Sequence, residues 1–289
     1  MEIKKTAYLN NPNSYECRVG QNRLVITTDF GPRILHLSVN DGPNILFVDE
    51  EKRMGGRGWL LYGGHRLWMA PETADTYAPD NEPCRVEGGK SDITVTAYEG
   101  RLGLEKSIRI SEKDGGFLVE HIVANRSDLL ITGAIWALTC VVPSGTAFFP
   151  WGTGASWDLK KVVYWQRWMD HGTDVTGPQY APTADLFLIR PSGEEGKVGT
   201  AGHGGFIGVT AGGYTFIKKF DRHPGAAYPD EECAVQCYTC AEFLELETLS
   251  PLATFYPDIP VFHTEQWIVS DRSVDPEDGD AVRKLLNRA

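Results

Sequence analysis

The sequence has no basic excess: 28 lysines and arginines stand against 39 aspartates and glutamates, a net charge of −11. A phosphate-binding surface needs a basic patch, and Lys5 and Arg53 sit only in short clusters, so nucleic acid is not an expected partner. An acidic chain is not drawn to anionic membranes either. The N-terminus, Met1 to Tyr8, lacks the apolar stretch of a secretory signal, so the expected location is cytoplasmic. A membrane span is also missing. The run from Leu129 to Trp157 carries no charge, but Thr132, Gly133, Thr139, Pro143, Ser144 and Gly145 interrupt it, and it reads as a buried strand, a turn and a second strand.

Metal and cofactor signatures are scarce. Of six cysteines, Cys233, Cys237 and Cys240 have suggestive spacing. They lie on an expected strand, however, where Cys233 and Cys237 share one face and Cys240 takes the other, with no second Cys/His pair nearby. All six read as reduced structural thiols. Gly55-Gly56-Arg57-Gly58 lacks the strand–turn–helix context of a dinucleotide fingerprint, and there is no P-loop. Neither a metal nor a cofactor is expected.

Strands are what the chain has in abundance. Asn22 to Thr28, Arg33 to Val39 and Ile45 to Val48 are separated by Gly31-Pro32 and by Asn40-Asp41-Gly42-Pro43. Ile93–Ala97, Leu104–Ile110 and Gly116–Asn125 have the spacing of an antiparallel meander. Further strands are expected at 164–171, 186–190, 205–210, 214–220, 234–240, 243–249 and 263–269, about fourteen to eighteen in all. A helical pattern is clear only near the C-terminus, from Asp280 to Leu286, with acids before it and bases within it. The expected fold is all-β, one large antiparallel β-sandwich over residues 1–289 with a short C-terminal helix, because strands with one buried face need a partner sheet.

Leu244-Glu245-Leu246-Glu247 alternates strictly, so both carboxylates point to one face, about 7 Å apart. A second candidate segment, Gly63 to Glu72 followed by Tyr77, mixes glycine, aromatics, histidine, arginine and acids with little periodicity, as binding loops do. Lys218 and Lys219 fall on opposite faces of their strand, so one at most faces a cleft. Tyr228-Pro229-Asp230 reads as a loop able to contact hydroxyl groups. His36 and His121 read as sheet residues, and His171, His203 and His223 as surface ones.

The succession Gly63-Gly64-His65-Arg66-Leu67-Trp68-Met69-Ala70-Pro71-Glu72, then Leu246-Glu247-Thr248, Pro251 and His263-Thr264-Glu265-Gln266-Trp267 resembles the galactose mutarotase-like superfamily, on a branch apart from the well-studied aldose 1-epimerases. The strand pattern covers nearly the whole chain and the specific motifs about a tenth of it. The resemblance implies a super-sandwich whose concave sheet binds a small-molecule carbohydrate. In aldose 1-epimerases a glutamate in a Leu-Glu-Thr strand takes the anomeric proton and a histidine protonates the ring oxygen. Glu247 falls on the base position, and His65 is the nearest counterpart of a histidine acid. Arg66, Trp68, Glu72, Tyr77, Lys218, Tyr228, Asp230 and Glu245 are the expected substrate contacts. Trp165, like Trp68 and Tyr77, offers a ring for stacking.

The same families carry a histidine on a central strand near mid-chain, and Ile135 to Val141 has none. His65 then supplies the acid, or another group does, or the protein binds sugar without turning it over. A third reading, an interaction module, leaves Glu245 and Glu247 merely solvated.

Overall fold

The computed structural model describes residues 1–56, 58–153, 157–168 and 170–287. Two large antiparallel sheets dominate, one of eleven strands and one of ten. The centre of the eleven-stranded sheet runs in the order Arg33–Val39, His65–Ala70, Ile131–Val141, Leu244–Leu249, Val235–Thr239, Gly196–Thr200. The centre of the other runs Phe206–Ala211, Tyr214–Phe220, Val261–Ser270, Gly116–Asn125, Leu104–Lys113.

The period of two decides what each strand gives to the core. Leu67, Met69, Ile135, Val141, Leu244 and Leu246 turn inward and pack with Ile108, Phe117, Val119, Phe216 and Trp267 of the opposing sheet. Each such side chain, fully buried, contributes about 1.5–3 kcal/mol. The intervening residues Trp68, Ala70, Ala134, Trp136, Leu138, Cys140 and Leu249 form a separate apolar cluster on the outer face, roofed by Trp59, Leu61 and Phe243. Leu244–Leu249 is therefore buried on both faces.

Most expected strands form, with ends within a few residues. Ile45 to Val48 makes only isolated bridges, Leu46 to Val141 and Val48 to Gly63, and serves as a strap. The expected strand at 164–171 is replaced by two-residue pairings, among them Arg167–Trp168 against His171–Gly172. The C-terminal helix spans Gly279–Leu286, and the Asp278 side chain caps it by accepting from the amides of Asp280 and Ala281. No helix among the described residues is long and apolar enough to cross a membrane.

Gly63 and Gly64 have φ of 76° and 66°, a conformation that glycine enters without a Cβ penalty. A Cβ on Gly64 would lie 2.1 Å from the Ile34 carbonyl oxygen. Gly64→Ala is expected to lower stability by about 2–4 kcal/mol in urea unfolding. A loss within about 0.5 kcal/mol would show that this turn does not seat the His65–Ala70 strand.

Candidate functional site

Antiparallel register lines up the outer-face residues in rows. Arg66 lies opposite Leu138, Leu138 opposite Glu247, Glu247 opposite Gln236, and Gln236 opposite Gly199. The next row is Cys140, Glu245, Tyr238 and Lys197. Trp68 and Trp136 begin the row on the other side. Five strands thus deliver two carboxylates, two cations, an amide and several aromatic rings to one surface.

Glu247 is fully buried. Its Oε2 accepts a hydrogen bond from Trp136 Nε1 at 2.7 Å and faces Lys197 Nζ at 3.4 Å. Its Oε1 has no partner among the described residues. Burial pushes the Glu247 carboxyl up to about 7, a tendency that Lys197 opposes and Glu245 reinforces. Lys197 is itself nearly buried, its ammonium 4.5 Å from the Trp136 ring centre and 5.5 Å from that of Trp165. Glu245 holds Arg66 at 2.7 Å and accepts from the Cys140 thiol. Burial alone would lower the Arg66 pKa, but Glu245 and Cys140 together raise it. The guanidinium lies 4.1 Å from the Trp68 ring centre.

The expected partnership of Glu247 with His65 does not form. His65 pairs in register with Thr139, one residue away from the Arg66–Leu138 pair, and so takes the inner face. There it is fully buried between the sheets. Its Nδ1 lies 2.8 Å from Thr139 Oγ1 and its Nε2 2.7 Å from His121 Nε2. His121 Nδ1 is 2.9 Å from the His263 carbonyl, which can only accept, so His121 carries its proton there. The His121 Nε2 lone pair then accepts from His65 Nε2–H, and Thr139 donates to His65 Nδ1. Burial drives the pKa values of His65 and His121 down and that of His263 to about 3.

Lys218 also lies on an inner face, because its strand belongs to the second sheet; Lys219, on the other side of that strand, is exposed away from the site. The Lys218 ammonium sits 2.9 Å from Glu265 and donates to the carbonyls of Ala137 and Leu246. Glu265 also accepts from Thr248 and, at 2.7 Å, from Trp267 Nε1. His65, His121 and Glu265 have donor atoms within 4.8 Å of one another, close enough to hold a cation. As they stand those atoms are already engaged in the hydrogen bonds just given.

Among the other expected contacts, Trp68 and Glu245 take part in the outer-face cluster. Tyr77 packs 5.1 Å from Trp68 and donates to Glu72, so Glu72 pairs with Tyr77 and Arg66 with Glu245. Asp230 enters through Gln236, whose Nε2 donates to it at 2.8 Å. Tyr228 is buried and engaged locally, its hydroxyl accepting from the His223 amide and its ring carrying Arg222.

Several members of the site carry no motif. Trp136, Lys197, Gln236 and Tyr238 enter only through strand register. Trp136 was legible in part, since the alternation Ala134, Trp136, Leu138, Cys140 sets it on the face opposite Ile135 and Ala137. Tyr238 donates to Glu195 at 2.6 Å, and His171 Nδ1 lies 2.5 Å from the same carboxylate oxygen. This His171–Glu195–Tyr238 group packs on Trp168 beside the Lys197 strand.

No protein-family model and no curated protein sequence matches this chain. Solved structures do. A galactose mutarotase-like protein from Lactobacillus casei superposes with a TM-score of 0.58 at 10% identity, over 89% of this chain and 100% of that one. A candidate aldose 1-epimerase from Escherichia coli K12 gives 0.55 at 12% identity, over 89% and 99%. A TPR-domain-containing protein from Parabacteroides distasonis gives 0.63 at 14% identity, over 92% of this chain and 48% of that larger one. The fold is the galactose mutarotase-like sandwich.

Proposed function

We propose that this protein binds an aldose or an aldose derivative on the outer face of the eleven-stranded sheet and interconverts its anomers, with Glu247 taking the proton of the anomeric hydroxyl. The observation that carries this reading is the asymmetry of the Glu247 carboxylate. One oxygen is fixed by Trp136 and Lys197, while the other is buried without a partner. A base held in one orientation, with basicity raised by burial, suits proton abstraction near neutral pH. Lys197 lies against the other oxygen, Oε2, with Trp165 beyond it.

His65 has no route to the same sugar. His171, an imidazole held by Glu195 at the rim of the same face, lies two strands across and four residues along from the Glu247 row, so the acid is not assigned to it. A cytoplasmic location agrees with the six free cysteines.

The test is anomer exchange followed by NMR on a panel of aldoses, sugar phosphates and uronates. Exchange of at least one sugar is expected to rise with pH through about 7, as Glu247 loses its proton. Glu247→Gln is expected to lower it by about a hundredfold or more. Saturable binding with no acceleration of any sugar would replace the catalytic reading with a purely sugar-binding one.

A further inference from the structure

The acceptor side of this face has a feature that anomer exchange does not by itself require. Residues Asp230, Glu231 and Glu232 have φ of 54°, 61° and 67°, three consecutive non-glycine residues in the left-handed region. Side chains with a Cβ are strained in this region, so the turn persists only because its surroundings hold it. The Tyr228 amide donates to Glu232, and Lys161 donates to the Glu231 carbonyl. The turn sets the Asp230 carboxylate on Gln236 Nε2 at 2.8 Å. That bond fixes the amide. With Nε2 turned to Asp230, Gln236 Oε1 faces away from it, and it has no partner among the described residues. Gln236 stands directly opposite Glu247, whose Oε1 is likewise unpartnered, and both side chains are fully buried. With Glu247 ionised, two acceptors on paired residues are therefore left without a donor. Buried acceptors left in this way are costly unless a ligand supplies the hydrogens.

The charge around them is mixed, with an excess of carboxylates. The nearby cations Arg66 and Lys197 are already set against Glu245 and Glu247. No lysine or arginine pairs with Glu72, Glu195 or Asp230 among the described residues, although His171 meets Glu195. A phosphate or carboxylate would bring more negative charge and only acceptors to acceptors. An ammonium would bring three donors and a compensating charge.

We propose that the site selects aldoses carrying an amino group on the carbon next to the anomeric centre, with Gln236 and Asp230 as the specificity-determining residues, and that it rejects phosphorylated and carboxylated sugars. With the anomeric hydroxyl on Glu247 Oε1, the substituent of the neighbouring carbon falls to Gln236 Oε1, backed by Asp230. This selectivity rests on the sugar-binding reading above.

The experiment is NMR titration of the full chain with glucose, 2-amino-2-deoxyglucose, glucose 6-phosphate and glucuronate, at low and high salt. The amino sugar is expected to bind about tenfold more tightly than glucose at low ionic strength, an advantage that shrinks with salt. The two anionic sugars are expected to bind more weakly than glucose. Asp230→Asn and, separately, Gln236→Leu are expected to bring the amino sugar to within about twofold of glucose. Glucose binding that depends on Glu247, without an amino-sugar advantage or with an anionic sugar ahead, overturns the selectivity and leaves the site reading intact. No shift with any sugar overturns both. A wild-type advantage that survives both substitutions overturns the assignment of Gln236 and Asp230.

Discussion

Lys218→Met is expected to destabilise the protein by about 3–5 kcal/mol, although Lys218 touches no part of the outer-face site. Its ammonium and the Glu265 carboxylate are both without exposed surface. Removing the ammonium leaves Glu265 with two neutral hydrogen-bond donors, Thr248 and Trp267, and also frees the carbonyls of Ala137 and Leu246. An uncompensated buried charge is worse than none, so Lys218→Met combined with Glu265→Gln is expected to recover part of the loss. Urea unfolding at pH 7 measures both. A single-variant loss below about 1 kcal/mol would mean that water reaches the pair, as it does in exposed ion pairs.

Acidification is expected to have an effect of similar size. His65, His121 and His263 are held neutral between the sheets, with Lys218 adding to the cost of protonating each and Arg33 and Arg66 adding to that of His65. Below pH about 6.5 the unfolded chain takes up protons that these buried rings refuse. Stability therefore falls as pH falls, by about 1.4 kcal/mol per histidine per pH unit. Glu247 has the opposite sign. Its raised carboxyl is protonated in the fold at a pH where the unfolded chain has released that proton, so one histidine's worth is returned between about 7 and 4.5. The histidines outnumber it, so stability is expected to fall from about 6.5 down to 4.5, with His36, held down to about 4 by burial, acting in the same sense. Urea midpoints followed by circular dichroism from pH 7.5 to 5 test this. A flat profile would mean that the three rings exchange protons freely in the folded state.

The sheet architecture could be read from the sequence because its signal is local. Alternation, glycine–proline turns and the capped C-terminal segment each need only a few neighbouring residues. The Glu245–Glu247 pair was legible for the same reason, as period two fixes that both share a face. Which face a residue takes relative to another strand is not local. His65 and Arg66 are adjacent, and nothing within Gly63 to Glu72 tells which of them looks into the core; the register against Thr139 and Leu138 decides. Lys218 failed similarly, because its strand sits in the opposite sheet, so neither it nor Lys219 could face Glu247. Lys197, Gln236 and Tyr238 escaped notice because no motif surrounds them and only strand pairing brings them to the carboxylates. The Glu195–His171 contact spans a segment whose pairings are two residues long, below what periodicity resolves.

The uncharged strand Ile131–Val141 belongs to two systems at once. Its even positions Trp136, Leu138 and Cys140 floor the outer-face cluster, where Trp136 orients Glu247. Its odd positions Ile135, Ala137, Thr139 and Val141 face the other sheet, where Thr139 joins the histidine chain and Ala137 receives Lys218. Walking a substitution along this strand should therefore give a sawtooth, with ligand affinity falling at one residue and melting temperature at the next. Evolution can retune the even sites without touching the joint that holds the two sheets together.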